Sequence, residues 1–305
     1  MNILEIKDVS KNIRGKKILK NISFTIGEGE IFGFVGPNGA GKSTLIKTIL
    51  GLYRKNSGQV FIDGQDVDHH FEECLKKVGA IVENPDMYNQ LSGLKNLEIY
   101  ANMTNNVTKE DMMEFVKLVK LENRIKDKVK TYSLGMKQRL GLVQALMHKP
   151  KLLILDEPTN GLDPIGIKEL REILQKISVE NKTSIFISSH ILSEVENICS
   201  RIAIIDNGEI IDIKNIEEIN NENGNMTVLE VSDAITAKTI IEDSLLVPVT
   251  INNNTMSFSL DKQDIPKVLK LLGDNNIDVY QVKTSKKSLE DEFMEKTSGS
   301  KSQIK

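Results

Sequence analysis

The chain has 305 residues, of which 27% are charged and 39% hydrophobic, a balance typical of soluble globular domains rather than disordered chains. Its 40 basic and 43 acidic side chains leave a net charge of −3, so electrostatics give no reason to expect a nucleic-acid partner. The apolar runs are far shorter than the roughly 20 residues of a membrane span, and the N-terminal segment MNILEIKDVSK predicts no secretory signal. The isolated cysteines, Cys74 and Cys199, are predicted to be small buried hydrophobes in a reducing, cytoplasmic compartment.

The N-terminal region alternates between short β-rich runs and one helix. Strands are predicted over Ile3–Val9, Ile18–Ile26 and Glu30–Val35. A helix is predicted to begin at Lys42 and to end near Gly51, because its apolar residues recur at helical spacing. Val60–Ile62, followed by Asp63 and Gly64, predicts one arm of a further hairpin.

The middle of the chain changes period. Helical periodicity dominates from about Gly93 to Gln144, and from Lys151 onward strands and helices alternate. This order predicts a parallel α/β sheet that is wound with helices and interrupted by a helical insert at about 84–145.

A polar, turn-rich segment at 220–225 predicts a linker that closes a first domain of 1–219. Beyond it, residues 226–297 run in the order strand, helix, strand, strand, helix, strand, with the second strand expected over Leu245–Ile251. That order predicts a small α+β ferredoxin-like domain, with a last amphipathic helix at 288–294. Residues 298–305 are predicted to form a tail.

One loop carries the pattern G-x-x-x-x-G-K-[ST], directly after a predicted strand and at the start of a helix. The predicted phosphate-binding residues are Gly36, Pro37, Asn38, Gly39, Ala40, Gly41, Lys42, Ser43 and Thr44. Glycines let backbone N–H groups approach phosphate oxygens at a helix N-terminus. Lys42 is expected to reach the β- and γ-phosphates, and the Ser43 hydroxyl to ligate Mg²⁺.

Two acids end the apolar run LLIL, and one histidine ends the later run SIFISS. The carboxyl ends of parallel strands meet at one sheet edge, where ligands bind in open α/β sheets. Side chains alternate along a strand, so Asp156 is expected beside Mg²⁺ while Glu157 polarises the attacking water. His190 is expected on the same edge, in contact with the γ-phosphate.

Further motifs are similar to those of one family. The run YSLGMKQR at 132–139 resembles the signature motif of ABC-transporter ATPases, in a variant of the usual LSGGQ, and NGLDP at 160–164 resembles their D-loop. His190 resembles their switch histidine, and the order and spacing match over roughly 1–218.

The resemblance implies an ABC-type P-loop NTPase fold that hydrolyses ATP with Mg²⁺. It also implies an ATP-dependent dimer, with itself or with a paralogous ATPase, in which Ser133 and Gly135 contact the nucleotide of the opposing subunit. A separate integral membrane permease would supply the membrane span and hold the chain at the inner face of the cell membrane.

Three positions depart from the usual family pattern. Glu83 replaces the Q-loop glutamine, and the resemblance implies that it keeps an oxygen for Mg²⁺ while adding a charge. Ile13 falls near the aromatic that usually stacks on adenine, and Met136 replaces the last signature glutamine.

The Q-loop glutamate and the small C-terminal domain resemble ATPase subunits that export bacitracin or lantibiotic peptides and so give resistance or immunity. Exporters of other drugs or of sodium share much of the pattern. A soluble ABC protein acting on ribosomes or DNA is disfavoured, since the chain has one ATPase half and neither a basic run nor a long insertion. A P-loop nucleotide kinase would leave YSLGM and NGLDP unexplained.

Overall fold

The computed structural model describes residues 1–83, 85–104, 107–216, 225–260 and 263–286. The chain divides into two compact units, a first unit of Met1–Ile216 and a second unit from Glu217 onward. Most of the predicted linker, the predicted helix at 288–294 and the predicted tail lie outside the described residues. No helix within the described ranges is long and apolar enough to cross a membrane.

The first unit contains ten strands and seven α-helices among the described residues. The strands are β1 (Asn2–Ile13), β2 (Lys16–Gly27), β3 (Ile31–Val35), β4 (Ser57–Ile62), β5 (Gln65–Asp66), β6 (Val78–Ile81), β7 (Leu152–Asp156), β8 (Ser184–Ser189), β9 (Arg201–Asp206) and β10 (Glu209–Asn215). The helices are α1 (Lys42–Ile49), α2 (Phe71–Leu75), α3 (Gly93–Met103), α4 (Lys109–Leu118), α5 (Leu134–Leu146), α6 (Pro164–Asn181) and α7 (Leu192–Glu196).

The predicted parallel sheet is confirmed. Its order is β10-β9-β3-β8-β7-β6, with parallel pairing from β9 to β6 and one antiparallel edge strand, β10. Strands β3, β7 and β8 are buried along their whole length, which explains why their sequences are apolar runs rather than alternating ones. This parallel arrangement brings the carboxyl ends of β3, β7 and β8 to one edge.

A second sheet, antiparallel and ordered β2-β1-β4-β5, packs on the first through aromatic rings. Phe24 of β2 stacks on Phe32 of β3 with ring centroids 5.0 Å apart, and on Phe186 of β8 at 5.8 Å. All three rings are buried, so they join the sheet that bears the hairpins to the sheet that bears the predicted site.

The helical insert consists of α3, α4 and α5, each begun by a side-chain cap. Ser92 accepts a hydrogen bond from Lys95 N, Thr108 forms a capping box with Asp111, and Ser133 accepts from Met136 N. The hydroxyl residues therefore set where the helices of the insert start.

The second unit has the predicted ferredoxin-like order. Its elements are β11 (Asn225–Val231), α8 (Ala234–Leu245), β12 (Thr250–Asn252), β13 (Thr255–Ser259), α9 (Ile265–Asp274) and β14 (Val279–Lys286). The sheet order is β12-β13-β11-β14 with antiparallel pairing throughout. The expected strand over 245–251 is wrong in extent, because α8 continues through Leu245 and Pro248 has no N–H to donate to a strand ladder.

An ion-pair cluster ties the two sheets together at Asp63. This residue lies in the turn after β4, and its carboxylate accepts from Lys77 Nζ at 2.8 Å and from Lys151 Nζ at 2.9 Å. Lys77 directly precedes β6 and Lys151 directly precedes β7, so one carboxylate joins three elements. The hydrogen bonds from Lys77 and Lys151 lower the pKa of Asp63 below its ordinary value.

Asp63→Asn should lower the free energy of unfolding of the first unit by about 1–2 kcal/mol at pH 7, as expected for hydrogen bonds to a charged group. Because the folded pKa is lowered, the wild-type carboxylate stabilises the fold above its unfolded pKa, and this contribution is lost as pH falls through the folded pKa. The gap between variant and wild type in urea unfolding should therefore narrow in acid. Glu98→Gln, which removes an exposed pair with Lys95, is the matched control. An equal loss in both variants would contradict the role of Asp63.

Candidate functional site

The loop between β3 and α1 has the geometry that a phosphate cradle requires. Gly39 and Gly41 have φ of 84° and 114°, in the left-handed region that favours glycine. A Cβ at Gly36 would lie 2.1 Å from the carbonyl oxygen of Ile205, so no larger residue fits there. Gly41 precedes α1 and offers no side chain to cap it, which leaves the first-turn N–H groups to a ligand.

Lys42 is a buried cation inside this loop, with only 5% of its side chain exposed. Its Nζ donates to the carbonyl oxygens of Gly36 at 2.7 Å and Pro37 at 3.3 Å. The same Nζ lies 3.2 Å from Oε1 of Glu157. Two carbonyl oxygens and one carboxylate therefore compensate the buried charge and join the loop to the end of β7.

The two acids take different directions, as the alternation predicted. Asp156 is buried, and its Oδ1 accepts from Ser188 Oγ at 2.6 Å. Glu157 follows with a φ of 50°, and its Oε2 lies 2.7 Å from Nδ1 of His190. Glu157 thus contacts Lys42 through one carboxylate oxygen and His190 through the other.

These groups border a cleft of about 780 Å³, a size typical of small-molecule and nucleotide sites. It is lined by Ile13, Arg14, Lys16, Ile18, Asn38, Gly39, Gly41, Lys42, Ser43, Thr44, Glu157, Asn160 and His190. Six of the nine predicted loop residues and the predicted histidine therefore meet at one cavity, whereas Gly36, Pro37 and Ala40 do not line it. Asp156 lies at the adjoining strand end.

Sequence reasoning missed four residues at or beside the cleft. Arg14, Lys16 and Ile18 come from the hairpin that joins β1 to β2, which the sequence marked only by its Arg14-Gly15 turn. Ser188 pairs with Asp156 in the register of β8 and β7, which no sequence signal shows.

Three other predicted site residues are not brought into the cleft of this chain. Ser133 is exposed at the start of α5 with Gly135 beside it, and neither lines the cavity. The side chain of Glu83 is 69% exposed, and its Oε1 lies 2.8 Å from Lys47 Nζ. This hydrogen bond from Lys47 lowers the pKa of Glu83 and raises that of Lys47.

Ser188→Ala should lower about tenfold the kcat of the ATP hydrolysis that the sequence motifs imply, since residues that support a metal ligand or catalytic group commonly have 10–100-fold effects. The fully buried hydroxyl donates to Asp156 and accepts from the backbone N–H of Glu157 at 3.0 Å, so its loss frees both acids to move. The KM for ATP should stay within about twofold, because the phosphate loop is untouched. Ser189→Ala is the control, as that hydroxyl is hydrogen-bonded to the backbone of Ile191 and to neither acid among the described residues. Equal kcat values for the two variants would contradict the positioning role.

The comparisons with known proteins agree with this geometry. The family model described as ABC transporter matches residues 19–160. The uncharacterized ABC transporter ATP-binding protein YhcH of Bacillus subtilis is 48% identical over 99% of this chain and 98% of its own length. The bacitracin transport ATP-binding protein BcrA of Enterococcus faecalis is 37% identical over 95% of both chains. The lantibiotic transport ATP-binding protein SrtF of Streptococcus pyogenes is 44% identical over 68% of this chain and 89% of its own.

A solved structure of the ATP-binding subunit of an ABC transporter matches 72% of this chain and 92% of its own, with a TM-score of 0.63 and 31% identity. The similarity to YhcH covers 98% of that protein, so the relationship extends well beyond the phosphate loop. The chain therefore belongs to the ATP-binding, ATP-hydrolysing subunits of ABC transporters.

Proposed function

We propose that this ATPase drives export of a peptide antibiotic of the bacitracin or lantibiotic type through a separate membrane permease, and so protects the cell that makes or meets it. The observation that carries the proposal is the similarity to BcrA, which spans 95% of both chains and therefore includes the second unit. The similarity to SrtF over the ATPase region supports the same class of cargo.

The cleft suits a nucleoside triphosphate. Lys42 offers an ammonium whose present partners are carbonyl and carboxylate oxygens, and phosphate oxygens are acceptors of the same kind. The uncapped start of α1 adds backbone donors and the positive end of the helix dipole. Arg14 and Lys16 at the cleft wall add positive charge for a polyphosphate.

The donor set at the sheet edge also fits Mg²⁺. No group of three or more His, Cys, Asp and Glu side chains in the described ranges is arranged to hold a metal. Mg²⁺ commonly binds through one or two carboxylates together with substrate phosphates and water. Ser43 and Asp156 would hold it in this way, with Glu83 as a further ligand, and the ion would neutralise charge on the phosphates.

Glu157 is the general base of the proposal. Its carboxylate is fixed between Lys42 and His190, so it is held at the mouth of the phosphate site rather than free in solvent. In the hydrolytic state Glu157 accepts the proton of the attacking water, and His190 orients the carboxylate and contacts the γ-phosphate.

A second subunit completes the site. Ser133 and Gly135 lie at an exposed helix N-terminus that does not face the cleft of their own chain. Such a terminus is a second anion site, which an ATP-dependent dimer, with the same chain or a paralogue, would place over the nucleotide. The permease subunits would hold this dimer at the inner face of the cell membrane. The proposal includes no nucleic-acid partner.

Glu157→Gln should retain ATP binding and reduce turnover at least about 100-fold, in line with loss of a general base. The amide keeps the size of the side chain but cannot accept the proton. Lys42→Ala should instead weaken ATP binding itself, because it removes the buried cation. Equilibrium binding of ATP and single-turnover hydrolysis separate the two effects. Turnover by Glu157→Gln at the wild-type rate would remove Glu157 from the base role.

Expression of the chain with its neighbouring permease genes should raise the concentration of bacitracin or of a lantibiotic that stops growth of a sensitive host. The Glu157→Gln variant, expressed to the same level, is the matched control and should give no protection. Protection against other drugs or against sodium, with none against the peptide panel, would contradict the peptide proposal and leave the ATPase assignment intact.

A further inference from the structure

We infer that Lys47 competes with the divalent cation for the carboxylate of Glu83, and thereby sets how much Mg²⁺ nucleotide binding requires. The inference rests on the proposed function, because the metal site near Ser43 is part of that proposal. It concerns a lysine that no sequence motif singled out.

The pair is formed by two segments that border the phosphate site. Glu83 follows β6, the neighbour of β7 in the parallel sheet, so it emerges at the same edge as Asp156. Its φ of 66° is unusual for a residue with a side chain, and Oε1 lies 2.8 Å from Lys47 Nζ. One oxygen of the carboxylate is thus already engaged by a cation.

The position of Lys47 makes that engagement competitive with a metal. Lys47 is four residues after Ser43 in α1, so both lie on one helix face with a separation of about 6 Å along the axis. The carboxylate of Glu83 is therefore bound by a lysine whose backbone lies one helical turn after the hydroxyl expected at the metal. Glu83 does not line the cleft in this arrangement.

The surroundings hold Lys47 in place. Its Nζ lies 5.9 Å from the centroid of the Tyr53 ring, and its side chain is 25% exposed. Asp156 also attracts the ammonium, and this attraction adds to those from Glu83 and Tyr53 in raising the pKa of Lys47. Lys47 is accordingly a positive charge held against Glu83, one of the carboxylates proposed as metal ligands.

A glutamine in place of Glu83 would need no such counter-charge. The amide offers Lys47 a neutral oxygen, which is a weaker partner than a carboxylate. Competition between Lys47 and a metal is therefore a property of the glutamate and should disappear with it.

A double-mutant cycle tests this coupling by binding rather than by turnover. The four proteins are wild type, Lys47→Met, Glu83→Gln and the double variant. The measurement is the Mg²⁺ concentration that gives half-maximal binding of a fluorescent, non-hydrolysable ATP analogue. Lys47→Met should lower this midpoint about threefold in the presence of Glu83, the size of effect that exposed ion pairs supply. In the Glu83→Gln background, Lys47→Met should shift the Mg²⁺ midpoint by less than about 1.5-fold. This remaining shift measures the effect of Lys47 on Mg²⁺ binding through Asp156 alone.

Two further variants serve as controls. Lys47→Arg keeps the charge and should restore a midpoint close to that of wild type. Lys149→Met removes one charge from an exposed pair with Asp111, outside the cleft, and should leave the midpoint unchanged.

Equal shifts from Lys47→Met in both backgrounds, or no shift in either, would overturn the inference. Lys42→Ala in the same assay keeps this failure distinct from failure of the proposed function. Loss of nucleotide binding in Lys42→Ala, together with equal shifts of the Mg²⁺ midpoint by Lys47→Met in both backgrounds, would support the phosphate site. In that case only the competition between Lys47 and Mg²⁺ for Glu83 is wrong. Unchanged binding by Lys42→Ala would remove the phosphate site itself.

Discussion

The buried ammonium of Lys42 is the constraint on which the site depends. An isolated charge in a protein interior is strongly unfavourable, so the fold must supply compensating oxygens within hydrogen-bond reach. It does so from two directions, with carbonyls of the loop after β3 and with Glu157 at the end of β7. The left-handed Gly39 and Gly41 lie between these carbonyls and Lys42, and allow the tight turn of the loop that connects them.

Compensation of the Lys42 charge also depends on β8, because Ser188 of that strand is hydrogen-bonded to both acids. Glu157 serves Lys42 and His190 at once, which requires its backbone to be fixed at a φ of 50°. Ser188 supplies that fixation by accepting from the backbone N–H of Glu157 while donating to Asp156. In the proposed function, a nucleotide would therefore meet charged groups that the protein already orients.

The sequence was sufficient for the parts of this site that follow from pattern. A glycine-rich loop between a strand and a helix, and polar residues ending apolar strands, meet at one edge for purely topological reasons. Ser188 could not be found in this way, because a serine inside the run SIFISS has no spacing signal and its partner is set by strand register. In the second unit the apolar run before Thr250 predicts a strand, because its pattern alone does not show that the helix extends to Leu245.

Two positions at which this chain departs from its family's usual residues, Ile13 and Glu83, have charged side chains beside them. Ile13 lies in a cleft wall with Ile18, Arg14 and Lys16, so that wall offers aliphatic contact and positive charge where an aromatic ring is usual. In the proposed function, such a wall would contact a nucleotide chiefly through its phosphates and less through the face of its base. Glu83 adds a negative charge outside the cleft, and Lys47 of α1 forms an ion pair with it at 2.8 Å. In the proposed nucleotide site, contacts between charges are screened by salt, so ATP binding should weaken with ionic strength more than stacking on an aromatic ring would.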